Sequence, residues 1–336
     1  MQKIQEIYKT LFHQPQNIVI TTHQKPDGDA MGSSLGLYHF LIQFNHKVTV
    51  ISPTNWANFL DWMPGVENVI DFEHNREKSK QLVAEADVIF CLDFNVLHRT
   101  KNFATVVEHA NCTKVLIDHH EMPQVEAFTY GASNTAKSST CEMVYDFIMQ
   151  SGYDSKVNLD IATCLYTGVM TDTGSFRFPS TTAGVHKMIA HFLEMGLKQT
   201  IIHENIYDNF LESRLRFIGF VLNNRMEVFY EYNTAVMYVY KGDLIKYDIK
   251  TGDTEGLVNY LLTIKGIRFA AIVVDRDEER KWSFRSKGNF DVNTFARNHF
   301  EGGGHFNAAG GRSDETVNDT VKTFINILPQ YESQLQ

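Results

Sequence analysis

The chain reads as an α/β protein, with a parallel-sheet N-terminal lobe, a helical connector and a smaller α/β C-terminal lobe. Three observations predict this. Over the first 170 or so residues short apolar strands alternate with helical stretches, the pattern of a parallel sheet. From residue 183 to 223 the sequence turns into consecutive helices with little strand character, and beyond Arg225 short β-rich runs return. At 336 residues there is enough chain for two cores. The expected boundaries are 1–185, 186–224 and 225–330.

Taken in order, Ile4, Ile7, Tyr8, Leu11 and Phe12 have helical spacing. Residues 17–22 form a strand, followed by a loop running from His23 to Ser34, a helix over 35–44 and a strand over 48–51. Further strands are expected at 87–92, ending in Asp93, and at 114–117, ending in Asp118-His119-His120. Helices follow over 140–150 and 159–170, the second leading into Thr171-Asp172-Thr173-Gly174. In the last lobe, strands are expected at 227–230, 235–240, 269–275 and 281–286, before the run Gly302-Gly303-Gly304-His305. No internal repeat or low-complexity tract is visible.

Composition narrows the partners. A net charge of −9, with Lys and Arg dispersed among acids, provides no basic track for long nucleic acid. Any nucleic-acid ligand is therefore expected to be short and held locally. No apolar run reaches the 18 residues of a membrane span, and the first residues lack the apolar segment of a secretion signal. Cys91, Cys112, Cys141 and Cys164 lie in or beside apolar segments without CxxC spacing, as expected of reduced, buried thiols in the cytoplasm.

Chemistry concentrates where predicted elements end. His23, Asp27, Asp29, Asp93, His119 and Asp172 are imidazoles and carboxylates, a ligand set suited to Mn²⁺ or Mg²⁺ and unlike a thiolate zinc site. Six ligands exceed the needs of one ion, whereas two ions sharing a carboxylate would use them all. Such a pair is the usual device for hydrolysing phosphate esters. Each residue alone has a plainer reading: Asp-Gly-Asp after Pro26 as a turn, Asp93 or Asp172 as a cap, His119 as a structural histidine. Four clusters each ending an element make coincidence the weaker account.

His23-x-x-Pro26-Asp27-Gly28-Asp29, Asp93, Asp118-His119-His120 and Asp172 resemble the four motifs of the DHH phosphoesterases. Gly302-Gly303-Gly304-His305 with Ala308-Ala309-Gly310 resembles the signature of the DHHA1 domain that follows in that family. The resemblance spans residues 16 to 325 and implies a DHH catalytic domain and a DHHA1 substrate-binding domain. Within the family, the chain is most similar to the compact, NrnA-like type, which degrades oligoribonucleotides of a few residues and dephosphorylates adenosine 3′,5′-bisphosphate (pAp). By resemblance, His23, Asp27 and Asp93 would hold one ion, and Asp29, Asp93, His119 and Asp172 the other. Two Mn²⁺ are expected, with Mg²⁺ or Co²⁺ as alternatives. His120 would contact the scissile phosphate or its leaving oxygen, while Asp118 orients a neighbouring imidazole.

The C-terminal lobe is expected to grip substrate. Three successive glycines can bring backbone N–H groups to an anion as a nest, the plainer reading being a flexible turn. His305 and Arg285 would add charge-assisted bonds, Phe306 and Asn307 are candidate base contacts, and Arg177 is a weaker phosphate candidate. The expected activity is a metal-dependent phosphodiesterase and nucleotidase acting on short RNA, pApA and pAp, in a chain that forms homodimers. A polyphosphatase or pyrophosphatase is the alternative, and a non-catalytic nucleotide-binding regulator the third reading.

Overall fold

Neighbouring residues in the central apolar runs point to opposite faces of a sheet, and both faces are buried. Ile18, Ile20, Val88, Phe90, Leu92, Val115 and Ile117 enter one core, while Val19, Ile89, Cys91 and Leu116 enter another. A strand covered on both sides needs apolar residues at every position, which is why these runs are continuous rather than alternating. The computed structural model describes residues 1–250, 252–276 and 279–336 and divides into two units, Met1–Asn209 and Phe210–Gln336. No described helix is long and apolar enough to cross a membrane.

In the first unit the strands are β1 (Gln2–Lys3), β2 (Asn17–Thr21), β3 (Lys47–Ser52), β4 (Ile70–Asp71), β5 (Val88–Leu92), β6 (Thr113–Asp118) and β7 (Tyr130–Ser133). The helices are α1 (Tyr8–Leu11), α2 (Gly28–Leu41), α3 (Arg76–Ala84), α4 (Ala104–Glu108), α5 (Thr140–Gln150), α6 (Leu159–Asp172), α7 (Ala183–Glu194) and α8 (Gln199–Tyr207). The sheet order is β1-β7-β6-β5-β2-β3-β4 with every pair parallel. From β2 the chain proceeds outward to β3 and β4, then crosses back to β5, β6 and β7. The direction reverses between β2 and β5, and ligand sites in such sheets form beyond the carboxyl ends at that point. Residues of α2, α5, α6, α7 and α8 pack in the first core, and α3 and α4 contribute to the second.

Two local expectations are corrected. The stretch from His23 to Ser34 is not all loop, because α2 begins at Gly28. Asp27 adopts extended backbone as N-cap, its carboxylate accepting from the Asp29 and Ala30 amides. The first turns of α2 are rich in Gly, Ala and Ser and buried nearly all round, so they carry no amphipathic signal. Residues 2–12 start as β1, then pass through a 3₁₀ turn over Ile4–Ile7 before the single turn of α1.

The close approach of α2 to α6 has a visible cause. A Cβ at Gly32 of α2 would lie 2.5 Å from the Cys164 carbonyl oxygen of α6, and one at Gly168 of α6 would lie 2.9 Å from Asp29 Cα of α2. Only hydrogen at these positions lets the two helices meet.

The second unit contains α9 (Glu212–Asn224), β8 (Met226–Phe229), β9 (Thr234–Val239), α10 (Lys241–Lys246), β10 (Phe269–Asp275), β11 (Arg280–Ser286), α11 (Val292–His299), β12 (Gly303–His305), β13 (Ala308–Ser313) and α12 (Val317–Ile327). Its sheet order is β12-β13-β11-β10-β9-β8; β9 and β10 run parallel and the other neighbours antiparallel. Phe269, Ala271 and Val273 face a core with Phe295 of α11 and Phe324 of α12, while Ala270, Ile272 and Val274 face Phe217 and Val221 of α9. Within the expected connector, α7 and α8 belong to the first unit and α9 to the second.

Candidate metal centre

The carboxyl ends of β2, β5 and β6, adjacent in the sheet, deliver His23, Asp93 and His119. The N-terminus of α2 adds Asp27 and Asp29, and the last residue of α6 is Asp172. All six lie in the first unit. Asp93 has a left-handed backbone (φ 64°), tolerated by Asp better than by most residues.

Asp93 sits between two imidazoles. Its Oδ2 lies 3.4 Å from His23 Nε2, and its Oδ1 lies 3.5 Å from His119 Nε2. His23 Nε2 is also 3.9 Å from Asp27 Oδ1. His119 Nε2 is 3.7 Å from Asp29 Oδ2 and 3.4 Å from Asp172 Oδ2. Among the described residues, donor atoms of His23, Asp27 and Asp93 lie within 4.8 Å of one another, as do those of Asp29, Asp93 and His119. The two groups share Asp93.

The backs of the rings are anchored. His23 Nδ1 lies 2.8 Å from the Gln24 carbonyl and His119 Nδ1 lies 3.4 Å from that of Lys137. A carbonyl only accepts, so Nδ1–H donates and Nε2 faces the carboxylates. At 3.4–3.9 Å these contacts are at or beyond the limit of a hydrogen bond. Neutral imidazole lone pairs facing carboxylate oxygens need a proton or a cation between them. The donor set of two imidazoles and four carboxylates fits hard divalent ions, and ring anchoring by carbonyls is the usual support for ligand histidines. Cys141 borders Asp29, but burial and that carboxylate raise its thiol well above the ordinary range, so it stays protonated.

The charge balance matches. Burial first, then the neighbouring Asp93 charge, pushes Asp29 up to about 7. Burial and Asp29 raise Asp172 well above the carboxylate range. Asp93 is different: burial opposes its charge, yet the facing His119 and His23 rings hold it well below. Against the cost of burial, Asp93 and its fellow carboxylates raise His119 to about 10. Crowding so many acids in one buried pocket makes their ionised forms costly, a cost that bound cations would remove.

His120 occupies a different position. Its Nδ1 lies 2.7 Å from Asp118 Oδ1, and its amide donates to Asp118 Oδ2. Asp118 therefore orients the second histidine of the pair. Burial and then the charge of Arg99 hold His120 well below the usual imidazole range, so the ring is neutral. Burial, followed by Asp93, pushes Asp118 up to about 6.

The sequence reading missed Thr140, Glu142 and Arg99. Thr140 Oγ1 donates to Asp93 Oδ1 (2.9 Å), and the Thr140 and Cys141 amides donate to Asp29 (2.6 and 2.8 Å). The one signal for them was the spacing Ser139-x-x-Glu142, which marks a helix start. Arg99, in the turn after β5, accepts the Gln24 amide through its carbonyl and places a cation near His23, His120 and Asp118. Arg177 is exposed, and its Nε donates to the Gly174 carbonyl.

In the second unit, Arg285 is half-buried on β11, and its Nη1 donates to the Phe284 carbonyl. Gly302 precedes β12, which contains Gly303, Gly304 and His305 and pairs with β13. The glycine run is thus the arm of a hairpin rather than a free turn. Gly304 (φ 156°) donates its amide to Asn293 Oδ1, and a Cβ on Gly302 would lie 2.0 Å from the Gly310 carbonyl oxygen. Gly302 and Gly304 are required by strand-to-strand approach. Asn307 is tied to Ser286 and Gly288, while Phe306 is exposed.

The DHH family, N-terminal domain model matches residues 17–169 and the DHHA1 domain model matches residues 231–331. The chain is 28% identical to the bifunctional oligoribonuclease and PAP phosphatase NrnA of Thermus thermophilus over 87% of its length and 83% of that protein's. It is 27% identical to the protein of the same name from Bacillus subtilis, over 87% and 88%. Its fold superposes with a TM-score of 0.94 on the crystal structure of an exopolyphosphatase-related protein from Bacteroides fragilis, 39% identical and covering 98% and 97% of the two chains.

Proposed function

This chain belongs to the DHH family, with a DHHA1 domain behind the catalytic one, and from that premise we propose a two-metal phosphoesterase that hydrolyses short oligoribonucleotides and dephosphorylates pAp. The observation that carries the reading is Asp93, with one oxygen toward His23 and the other toward His119. His23, Asp27 and Asp93 would hold one divalent ion, and Asp29, Asp93, His119 and Asp172 the second, Mn²⁺ being the expected metal. Bound there, the ions would supply Lewis acidity and a water of lowered pKa.

The chain's own residues do the rest. The carbonyls of Gln24 and Lys137 keep both ligand rings in the tautomer that presents Nε2. Asp118 holds His120 by Nδ1, so Nε2 is the atom at which His120 takes up or delivers a proton at the leaving oxygen. Arg285, Gly302, Gly303, Gly304 and His305 are assigned to the nucleotide's anionic groups. The net charge of −9 supports small substrates over long nucleic acid, and we place the enzyme in the cytoplasm as a homodimer. The substrate names rest on the NrnA relatives. A polyphosphatase reading has its own support in the exopolyphosphatase-related relative.

The deciding experiment measures product release with Mn²⁺ from pApA, a five-residue RNA, pAp and tripolyphosphate side by side, with Asp93→Ala as control. Turnover of the nucleotides with little release from tripolyphosphate is expected. Preference for tripolyphosphate would move the protein to the polyphosphatases, and full activity of Asp93→Ala at saturating Mn²⁺ would overturn the two-metal assignment.

A further inference from the structure

We propose that Glu142 is a positioning residue that sets one of the two metal pockets, that of Asp29, Asp93, His119 and Asp172, through the backbone of residues 137–141. The inference rests on the two-metal reading above.

Glu142 is 4% exposed, a burial that a carboxylate tolerates only when its oxygens are satisfied. The spacing Ser139-x-x-Glu142 would ordinarily return this carboxylate to the Ser139 amide as a capping box. Half of that box forms, the Glu142 amide donating to Ser139 Oγ. The carboxylate goes elsewhere. Its Oε2 accepts from the Ser138 amide and hydroxyl, both at 2.8 Å, and its Oε1 accepts from Lys137 Nζ at 2.8 Å. Lys137 Nζ also meets Asp146 Oδ2 at 2.6 Å. The peptide between Lys137 and Ser138 is thereby fixed from both ends.

What that stretch holds is three of the four proposed ligands of one pocket. The Lys137 carbonyl takes His119 Nδ1, the Thr140 and Cys141 amides take both oxygens of Asp29, and the Thr140 hydroxyl takes Asp93 Oδ1. The other pocket is anchored differently. His23 leans on the carbonyl of its own neighbour Gln24, and Asp27 on the amides of α2. Asp93 is common to both. Loosening residues 137–141 therefore disturbs one pocket while leaving two of three ligands of the other in place.

The test is Mn²⁺ titration of metal-free protein, free ion being counted by its electron paramagnetic resonance signal, with urea unfolding run on each variant. Wild type is expected to bind two ions. Glu142→Ala should retain one near wild-type affinity and weaken the other about 10–100-fold, the usual cost of losing support behind a ligand. Its turnover should recover at high Mn²⁺, which a lost catalytic group would not permit. Glu142→Gln keeps an acceptor for Ser138 but turns a donor toward Lys137, so it should weaken the same ion less; it carries the test if the alanine variant fails to fold. Two ions at wild-type affinity in the folded variants, or equal weakening of both, would overturn the role of Glu142. A wild type that binds no Mn²⁺ would overturn the two-metal reading instead.

Discussion

Replacing Gly32 by alanine tests whether close approach of α2 and α6 assembles the centre. The new Cβ would lie 2.5 Å from the Cys164 carbonyl oxygen, 2.9 Å from Cys141 Sγ and 3.1 Å from the Gly168 amide nitrogen. Ordinary contact begins at 3.4 Å, so about 0.9 Å must be found against backbone, which cannot rotate away as a side-chain end can. Overpacking of this kind costs ~1–3 kcal/mol, and the better helix propensity of alanine returns about 1 kcal/mol. The expected net loss is up to about 2 kcal/mol, from the same two terms. The separation also has a functional consequence, because α2 carries Asp29 and α6 ends in Asp172, both facing His119 Nε2. Mn²⁺ affinity should fall alongside stability. Urea unfolding read through Trp56 and Trp62 of the first unit gives the first quantity, and Mn²⁺ titration the second. Gly219→Ala on α9, with nothing within 4 Å of the added carbon, is the control and should gain up to about 1 kcal/mol. Gly32→Ala as stable as wild type, with unchanged Mn²⁺ affinity, would refute the packing argument.

Three further outcomes are expected. Gly152 ends α5 in the left-handed region (φ 80°) with open space around it, so Gly152→Ala should lose ~1–2 kcal/mol through backbone strain alone; an unchanged urea midpoint would contradict this. His46 Nδ1 accepts the Gln16 amide at 3.0 Å, and burial lowers the ring's pKa below 6.5. A depressed imidazole contributes stability that is present above the unfolded pKa and lost as pH falls through the folded one. The stability difference between wild type and His46→Gln should therefore shrink on acidification from pH 7 to 5, and a constant difference would count against it. Chelation should lower the melting temperature, since each ion at a hundred times its Kd adds about 2.7 kcal/mol. Asp93→Ala should lose most of this Mn²⁺ response in a melting scan; an undiminished response would mean that the ions bind elsewhere.

The parallel sheet was legible because its strands are buried on both faces, which makes the runs over β2, β5 and β6 continuous and their ends abrupt. Acids and imidazoles at those ends stood out against the apolar background, and the structure gathers His23, Asp27, Asp29, Asp93, His119 and Asp172 at one sheet edge. Less was visible where side chains are small or the backbone acts. The first turns of α2 passed for a loop because glycines and serines packed against α6 show no periodicity. The run from Gly302 to Gly304 gave no strand signal, because composition alone does not distinguish a flexible turn from a strand pressed against its neighbour.

Residue chemistry by itself determined which groups could bind metal and where along the chain they lie. Only the tertiary structure decided how they are divided: Asp93 between two imidazoles, His120 tied to Asp118, and three candidate ligands suspended from residues 137–141. The reason is physical. Ligand identity is a property of one side chain, whereas the direction of a lone pair depends on which distant amide or carbonyl holds it, and those partners are up to 112 positions apart in the chain.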